Sequence, residues 1–143
     1  MRRMFKLIGI PFIIALIIFL FIKFIWLKGF EFSDITIDEY VTFYNSNNEG
    51  IIYVTEDGAV KKEEFEDILG RSFEDKKIIV YKLDLTSITE DERKKFIDAT
   101  EFKDSEFTIP MLVYIKDGKM VDLISGYAPE YKVQELIEKN NIE

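Results

Sequence analysis

The chain has 143 residues, with 19 Lys and Arg against 27 Asp and Glu, and it contains neither cysteine nor histidine. The absence of both residues excludes disulfides, thiolate nucleophiles, Ser-His-Asp triads and zinc sites built from their side chains. The formal net charge of −8 argues against a nucleic-acid partner, because such affinity comes mainly from Lys and Arg that neutralise phosphates. Since 48% of the residues are hydrophobic, the chain is also not a disordered acidic tail.

The charges divide the chain near Gly29. Residues 1–28 contain five basic residues and no acidic one, whereas residues 29–143 contain 14 basic and 27 acidic residues, a net charge of −13. Between Leu7 and Leu27 the only charge is Lys23, close enough to the end for its ammonium to reach the headgroups. A helix of these 21 residues would be about 31 Å long, which matches the hydrocarbon core of a bilayer. We therefore predict an N-terminal transmembrane anchor over 1–28, with its span from Leu7 to Leu27.

Two other interpretations of the apolar segment are less favourable. A buried core helix does not fit, because one small domain has no place for a helix that is apolar on every side. A cleaved signal peptide usually has a shorter apolar region followed by small residues at a cleavage site, and neither feature is present. The chain is thus predicted to be a single-pass signal-anchor protein. The excess of Lys and Arg before the span favours a cytoplasmic N-terminus and an extracytoplasmic C-terminal domain at the cell membrane.

Behind the anchor, patterns typical of helices alternate with patterns typical of strands. Two Thr-x-x-Glu sequences, Thr36–Glu39 and Thr89–Glu92, predict helix starts closed by capping boxes. Asp117–Gly118 between two β-branched runs predicts a tight hairpin turn. In chain order we predict a linker over 29–34, helix 36–44, strand 51–55, helix 60–69 with Gly70 as its C-cap, strand 77–84, helix 89–102, hairpin strands 111–116 and 119–124, and helix 129–140. This order implies one α/β domain over 35–143, with a mixed sheet flanked by helices.

The second half of this domain carries a recognisable signature. Ile109–Pro110 precedes a buried strand, which is followed by a Gly-containing turn, a second strand and Gly126 before the last helix. This arrangement resembles the thioredoxin-like superfamily, and the resemblance implies a cis bond before Pro110. With its anchor, the chain most resembles the membrane-anchored thioredoxin-like proteins that accompany bacteriocin transport in Gram-positive bacteria.

The resemblance also implies a Cys-x-x-Cys pair at the start of the helix after the first buried strand. When Tyr53 and Phe65 are aligned with that family pattern, Ala59 and Lys62 occupy the two cysteine positions. Thiol–disulfide oxidoreductase activity is excluded, because the exchange requires a thiolate. A Lys at this helix start would need desolvation to act as a base, so a solvated first turn is the simpler interpretation. No metal or cofactor is expected, since no acidic stretch has the spacing of a calcium loop.

The resemblance assigns a peptide-binding groove to three short segments, in which the Ile109 backbone pairs with an extended peptide. The groove residues are Asp57, Gly58, Ala59, Ile109, Pro110 and Gly126. The simpler interpretation of Pro110 is that it begins a strand, where a missing amide is tolerated. Tyr127 and Tyr131, on either side of Pro129, predict either an aromatic contact site near this groove or ordinary packing at a helix start.

We therefore expect a redox-inactive, membrane-tethered accessory module that holds an extended segment of a secreted or membrane partner. The acidic domain favours a basic partner, such as a cationic bacteriocin peptide. The alternative is a structural subunit of a membrane complex, assembled through its transmembrane helix. The span lacks the small-xxx-small pattern that often marks packed transmembrane helices, which argues against this alternative.

Overall fold

The computed structural model describes residues 17–18, 30–100 and 107–143. Helices and strands alternate along the domain in the order that the residue patterns predict, with one additional short strand at its start. The elements are β1 (Ser33–Asp34), α1 (Ile37–Tyr44), β2 (Gly50–Thr55), α2 (Lys62–Phe73), β3 (Val80–Asp84), α3 (Glu90–Thr100), β4 (Met111–Lys116), β5 (Lys119–Ser125) and α4 (Glu130–Lys139).

The strands form one mixed sheet in the order β1-β3-β2-β4-β5. Strands β1, β3 and β2 are parallel, whereas β4 is antiparallel to both β2 and β5. All six residues of β2 are buried, as its unbroken apolar sequence predicts for a strand covered on both faces. The sheet is therefore the mixed α/β sheet flanked by helices that the element order indicates.

Two hydrophobic cores lie on the two faces of the sheet. Alternate residues of β2 contribute to each core, because successive strand side chains point to opposite faces. Ile51 and Tyr53 pack with apolar side chains of α2 and α4, and Ile52 and Val54 pack with those of α1 and α3. The side chains predicted to point inward from α2 and α4 are all buried, namely Phe65, Ile68, Leu69, Val133, Leu136 and Ile137.

Local signals fix several ends of the elements. Both capping boxes are present: the Glu39 amide donates to the Thr36 hydroxyl at 3.3 Å, and the Glu92 amide donates to the Thr89 hydroxyl at 3.2 Å. In the hairpin turn, Asp117 and Gly118 have φ angles of 53° and 70°. Positive φ at both central residues is the geometry that Asp-Gly favours between two antiparallel strands.

The end of α2 differs from its prediction. Gly70 does not cap this helix, which continues through it to Phe73. Phe73 is four residues beyond Leu69 and is buried on the same face, so the burial of another helical turn outweighs the low helix propensity of glycine. Strand β3 is also shorter than predicted, because its pairing with β2 begins at Val80.

The predicted linker over 29–34 is partly wrong. Ser33 and Asp34 form β1, which pairs with Tyr81 and Lys82 of β3. Phe32 is half-buried and packs on the core between the sheet and α2. The domain therefore begins before residue 35.

Among the described residues, no helix has the length and apolar character needed to cross a bilayer. Apart from Ile17 and Ile18, whose backbone is helical, the predicted span Leu7–Leu27 lies outside the described residues. The predicted end of the helix over 89–102 also lies outside them, beyond Thr100.

Candidate functional site

The three segments of the predicted groove lie at one end of the sheet. In the sheet register, Val54 at the end of β2 pairs with Met111, and Met111 pairs with Ser125 at the end of β5. The turn after β2, the Ile109–Pro110 dipeptide before β4 and Gly126 after β5 therefore follow these paired positions at the same edge. The antiparallel arrangement of β4 with both neighbours brings these segments together, although up to 69 residues separate them in the sequence.

The backbone before Pro110 is only partly used within the domain. The Ile109–Pro110 peptide bond is cis. The Thr108 amide donates to the Ser125 hydroxyl at 2.8 Å, and the Thr108 carbonyl accepts from the Gly126 amide at 2.8 Å. Among the described residues, by contrast, no backbone hydrogen bond involves Ile109. Within the described ranges, the Ile109 amide and carbonyl therefore have no backbone partner.

The turn after β2 is supported from the loop between β3 and α3. The Asp57 amide donates to the Thr86 hydroxyl at 2.9 Å. Thr86 in turn donates to the Asp84 carboxylate, from its amide at 2.9 Å and from its hydroxyl. Gly58 has a φ of +77° and an open space where a Cβ would lie. Sequence reasoning missed the support by Thr86, because 29 residues separate it from Asp57.

Ala59 and Lys62, which the resemblance predicts at the two cysteine positions, lie next to this turn. Ala59 lies in the connection between β2 and α2, and Lys62 is the first residue of α2. The Lys62 ammonium lies 3.5 Å from the Asp57 carboxylate and 3.9 Å from that of Asp84. Its side chain is only 23% exposed. Lys62 is thus a half-buried counter-ion for two more exposed carboxylates, whereas Glu63 and Glu64 of the same turn are exposed to solvent.

Burial, the Thr86 hydrogen bonds and nearby lysines all shift the pKa of Asp84. Burial raises the pKa of the Asp84 carboxyl. Hydrogen bonds from Thr86 and the positive charges of Lys62 and Lys82 oppose this effect and leave the pKa below its ordinary value. Asp84 is therefore ionised at neutral pH, and it links Lys62 to the loop that supports the turn.

Tyr127 lies directly after Gly126, the last residue of the predicted groove. Its ring packs edge-on against Phe65, with 6.0 Å between the ring centroids. The Lys61 ammonium lies 4.3 Å from the centroid of the Tyr127 ring, and the Tyr127 hydroxyl donates to the Glu64 carboxylate. That hydrogen bond lowers the pKa of Glu64 and raises the pKa of Tyr127. Tyr131, by contrast, is 63% exposed and lies on the outer surface of α4.

The chemistry available at this edge is recognition by hydrogen bonds, charges and aromatic contacts. The chain has no thiol. Within the described ranges, no three His, Cys, Asp or Glu side chains are placed to hold a metal ion together. The site combines the Ile109 backbone, which has no backbone partner in the described part of the chain, with an ion cluster around Lys62 and the ring of Tyr127.

Comparisons with known proteins support the fold. No protein-family model matches the sequence, and no similar sequence was found among curated proteins. The domain is similar to the thioredoxin Mala s 13 of Malassezia sympodialis, with a TM-score of 0.59, 17% identity and coverage of 78% of this chain and 91% of that one. The oxidised thioredoxin of Plasmodium falciparum matches with a TM-score of 0.57, 16% identity and coverage of 77% and 98%. For the Trypanosoma brucei brucei thioredoxin the TM-score is 0.57, with 13% identity and coverage of 80% and 96%. The chain therefore has a thioredoxin-like fold, in a sequence without cysteine.

Proposed function

We propose that this protein is a redox-inactive, membrane-tethered binding module of the thioredoxin-like type. It holds an extended segment of a secreted or membrane partner in the groove formed by Asp57–Ala59, Ile109–Pro110 and Gly126. Its role is that of an accessory protein, which positions the partner without chemical conversion.

The observation that carries this proposal is the unpaired backbone of Ile109. The amide and the carbonyl of Thr108 are bonded to β5 and the loop after it, whereas the described structure contains no backbone hydrogen bond to Ile109. Backbone groups without a partner next to the end of a strand can form hydrogen bonds with an extended peptide, as in strand addition. A strand that binds there is recognised mainly through its backbone, so many partner sequences fit.

The residues at Ala59 and Lys62 support a holding role. In our proposal they replace a Cys-x-x-Cys pair, and the ion pairs of Lys62 with Asp57 and Asp84 stabilise the turn that such a pair would otherwise reinforce. A methyl group and an ammonium cannot exchange disulfides. The groove keeps its shape while the redox chemistry is lost.

Residues 7–27 supply the tether in this proposal, with the N-terminus cytoplasmic and the domain outside the cell membrane. A membrane anchor raises the effective concentration of the groove near its partner, so weak intrinsic affinity suffices. The net charge of −13 over residues 29–143 favours a basic partner. Cationic peptides of the bacteriocin class in Gram-positive bacteria have this property.

Site-specific photocrosslinking in the native membrane tests the groove. A photoreactive residue at Thr108, which is exposed beside Ile109, should capture the partner. The same residue at Asp75, in the exposed turn after α2, should not capture it. Capture from Thr108 should persist in Ile109→Val, which keeps the backbone amide, and should be lost in Ile109→Pro, which removes it. Equal capture from both positions, or capture that survives Ile109→Pro in a folded protein, would contradict the proposal.

Exchange of the span separates this function from the alternative of a structural subunit. Residues 7–27 are replaced by an unrelated transmembrane helix of equal length. If the groove carries the function, crosslinking from Thr108 should be retained. Its loss, with normal expression and membrane insertion, would instead favour assembly through the transmembrane helix.

A further inference from the structure

The ring of Tyr127 and the carboxylate of Glu64 form a small site that is occupied by the chain's own Lys61. The Lys61 ammonium lies 4.3 Å from the Tyr127 ring centroid and 3.3 Å from the Glu64 carboxylate. The Tyr127 hydroxyl donates to the same carboxylate and holds the two groups together. An ammonium over an aromatic face beside a carboxylate is a recurrent way to bind a cation. We call these two side chains the Tyr127 subsite.

We propose that the Tyr127 subsite binds a basic side chain of the partner segment, which displaces Lys61. This inference rests on the proposed function and specifies the partner: its extended segment carries a Lys or Arg next to the residue that pairs with Ile109. In the free protein, Lys61 is an internal occupant that shows which chemical group the subsite accepts.

The position of the subsite fits this role. Tyr127 follows Gly126, whose amide donates to the Thr108 carbonyl at 2.8 Å, and Ile109 is the next residue after Thr108. In our proposal, a strand paired with Ile109 passes beside the Tyr127 ring. The arrangement links the backbone contact, which is indifferent to sequence, to a contact that selects a basic residue.

Lys61 can leave the subsite at little cost. Its side chain is 51% exposed, and that of Glu64 is 53% exposed, so the ion pair between them is weak. Lys61 precedes α2 with a φ of 55°, and its side chain makes no hydrogen bond that caps the helix. The ring of Tyr127, in contrast, is held by its packing against Phe65 and remains in place when Lys61 moves.

A second set of the same side chains supplies a matched control. On α4, the Lys132 ammonium lies 5.4 Å from the Tyr131 ring centroid and 2.7 Å from the Glu135 carboxylate. Tyr131 is 63% exposed and is one helical turn removed from the segment that follows Gly126. Substitution at Lys132 changes the net charge as much as substitution at Lys61 does, without touching the groove.

The test uses the full chain in nanodiscs of zwitterionic phosphatidylcholine, with its isoleucine methyl groups labelled for NMR. Two blocked octapeptides of Ser, Thr and Val, identical except for a central Lys or Gln, are titrated to millimolar concentration while the Ile109 methyl signal is followed. The Lys peptide should bind about threefold to tenfold more tightly than the Gln peptide, the range for an exposed cation on an aromatic ring and a carboxylate. Glu64→Gln and Tyr127→Leu should each reduce this preference.

Removal of Lys61 from the Tyr127 subsite tests the proposal more directly than the comparison of peptides alone. Lys61→Asn, which tolerates positive φ, should tighten binding of the Lys peptide more than that of the Gln peptide. Lys132→Asn should leave the ratio unchanged. If both peptides shift the Ile109 signal with equal affinity, or if Lys61→Asn behaves like Lys132→Asn, the subsite is wrong and the groove stands. If neither peptide shifts Ile109, the groove fails and this inference fails with it.

Discussion

At the scale of single residues, two glycines with similar backbone angles have different surroundings. Gly58 has a φ of +77° and nothing within 4 Å of the position where a Cβ would lie. Gly118 has a φ of +70°, but a Cβ there would lie 3.0 Å from the backbone oxygens of both Tyr44 and Ser46. The hairpin turn is therefore pressed against the end of α1, whereas the turn after β2 is open.

Alanine substitution at the two glycines separates backbone strain from steric contact. Gly58→Ala should cost about 1 kcal/mol, because a side chain disfavours positive φ. Gly118→Ala should cost roughly 2–3 kcal/mol, since the contact with two backbone oxygens is added to that strain. Urea unfolding of the full chain in mild detergent, followed by the near-ultraviolet circular dichroism of the tyrosines, measures both. Equal losses would mean that the α1 end moves away freely.

Short-range residue signals were sufficient to predict turns and helix caps, but not the contacts within the candidate site. The Asp117–Gly118 turn and the Thr36 and Thr89 caps could be predicted because their partners lie within three residues. The contact of Tyr127 with Glu64 could not, since 63 residues separate the two side chains. Only the suggestion of an aromatic contact near Pro129 indicated it.

At the scale of elements, Asp122 joins β5 to the end of α4. Its carboxylate accepts from the Lys139 ammonium at 2.9 Å, from the Asn140 amide group at 3.0 Å and from the Leu123 backbone amide at 2.9 Å. Burial raises the pKa of Asp122, but these hydrogen bonds and the charge of Lys139 bring it below its ordinary value. The ionised carboxylate therefore stabilises the contact between strand and helix.

The depressed pKa of Asp122 gives a stability effect with a defined dependence on pH. Because the folded pKa lies below the unfolded one, the contribution is present above the unfolded pKa and is lost as the pH falls through the folded value. Asp122→Asn should thus cost about 1 kcal/mol at neutral pH and less in acid, as the wild-type carboxylate becomes protonated. Urea unfolding at several pH values measures the difference between wild type and variant.

Asp75→Asn is the control for this pH series. Asp75 is exposed, and none of the hydrogen bonds and ion pairs within the described ranges involves it. Its substitution should change the free energy of unfolding by no more than about 0.5 kcal/mol at any pH. A difference for Asp122→Asn that stays constant into acid would show that the carboxylate acts by packing and not by its charge.

Most helices and strands could be predicted from local sequence, but some of their ends could not. The helices and the central strands were predictable, because their apolar residues recur with helical or strand spacing over many positions. The continuation of α2 through Gly70 depends on the burial of Phe73, which is a property of the assembled core. Strand β1 has only two residues and exists through its pairing with β3, so no periodic pattern could indicate it.

At the scale of the whole molecule, the proposed groove depends on a fold that brings three distant segments together at one end of the sheet. The element order and the resemblance were sufficient to predict these segments. The unpaired Ile109 backbone and the ion pairs of Lys62 depend on distances between elements, which the sequence does not encode locally. The start of the domain also could not be predicted from local sequence, because it depends on the contacts of Phe30 and Phe32 with the rest of the fold.

The segment before β1 is part of the folded domain. The ring of Phe32 lies 5.3 Å from that of Tyr53 and 4.9 Å from that of Phe30, measured between centroids. A Cβ at Gly70 would lie 3.6 Å from the Phe30 ring, so this segment also approaches α2 closely. A flexible linker would make none of these contacts, and its residues would be replaceable without effect on stability.

Phe32→Ala measures where the domain begins. Loss of a half-buried phenylalanine that contacts Tyr53 should lower the free energy of unfolding by about 2–3 kcal/mol, less than for a fully buried ring. Val60→Ala, at a position 70% exposed, should stay within about 0.5 kcal/mol of the wild type. Urea unfolding of both full-length variants measures their free energies of unfolding relative to the wild type. If the two lose equal stability, residues 29–34 act as a linker; if Phe32→Ala alone is destabilised, the predicted anchor and the domain are joined with little free chain between them.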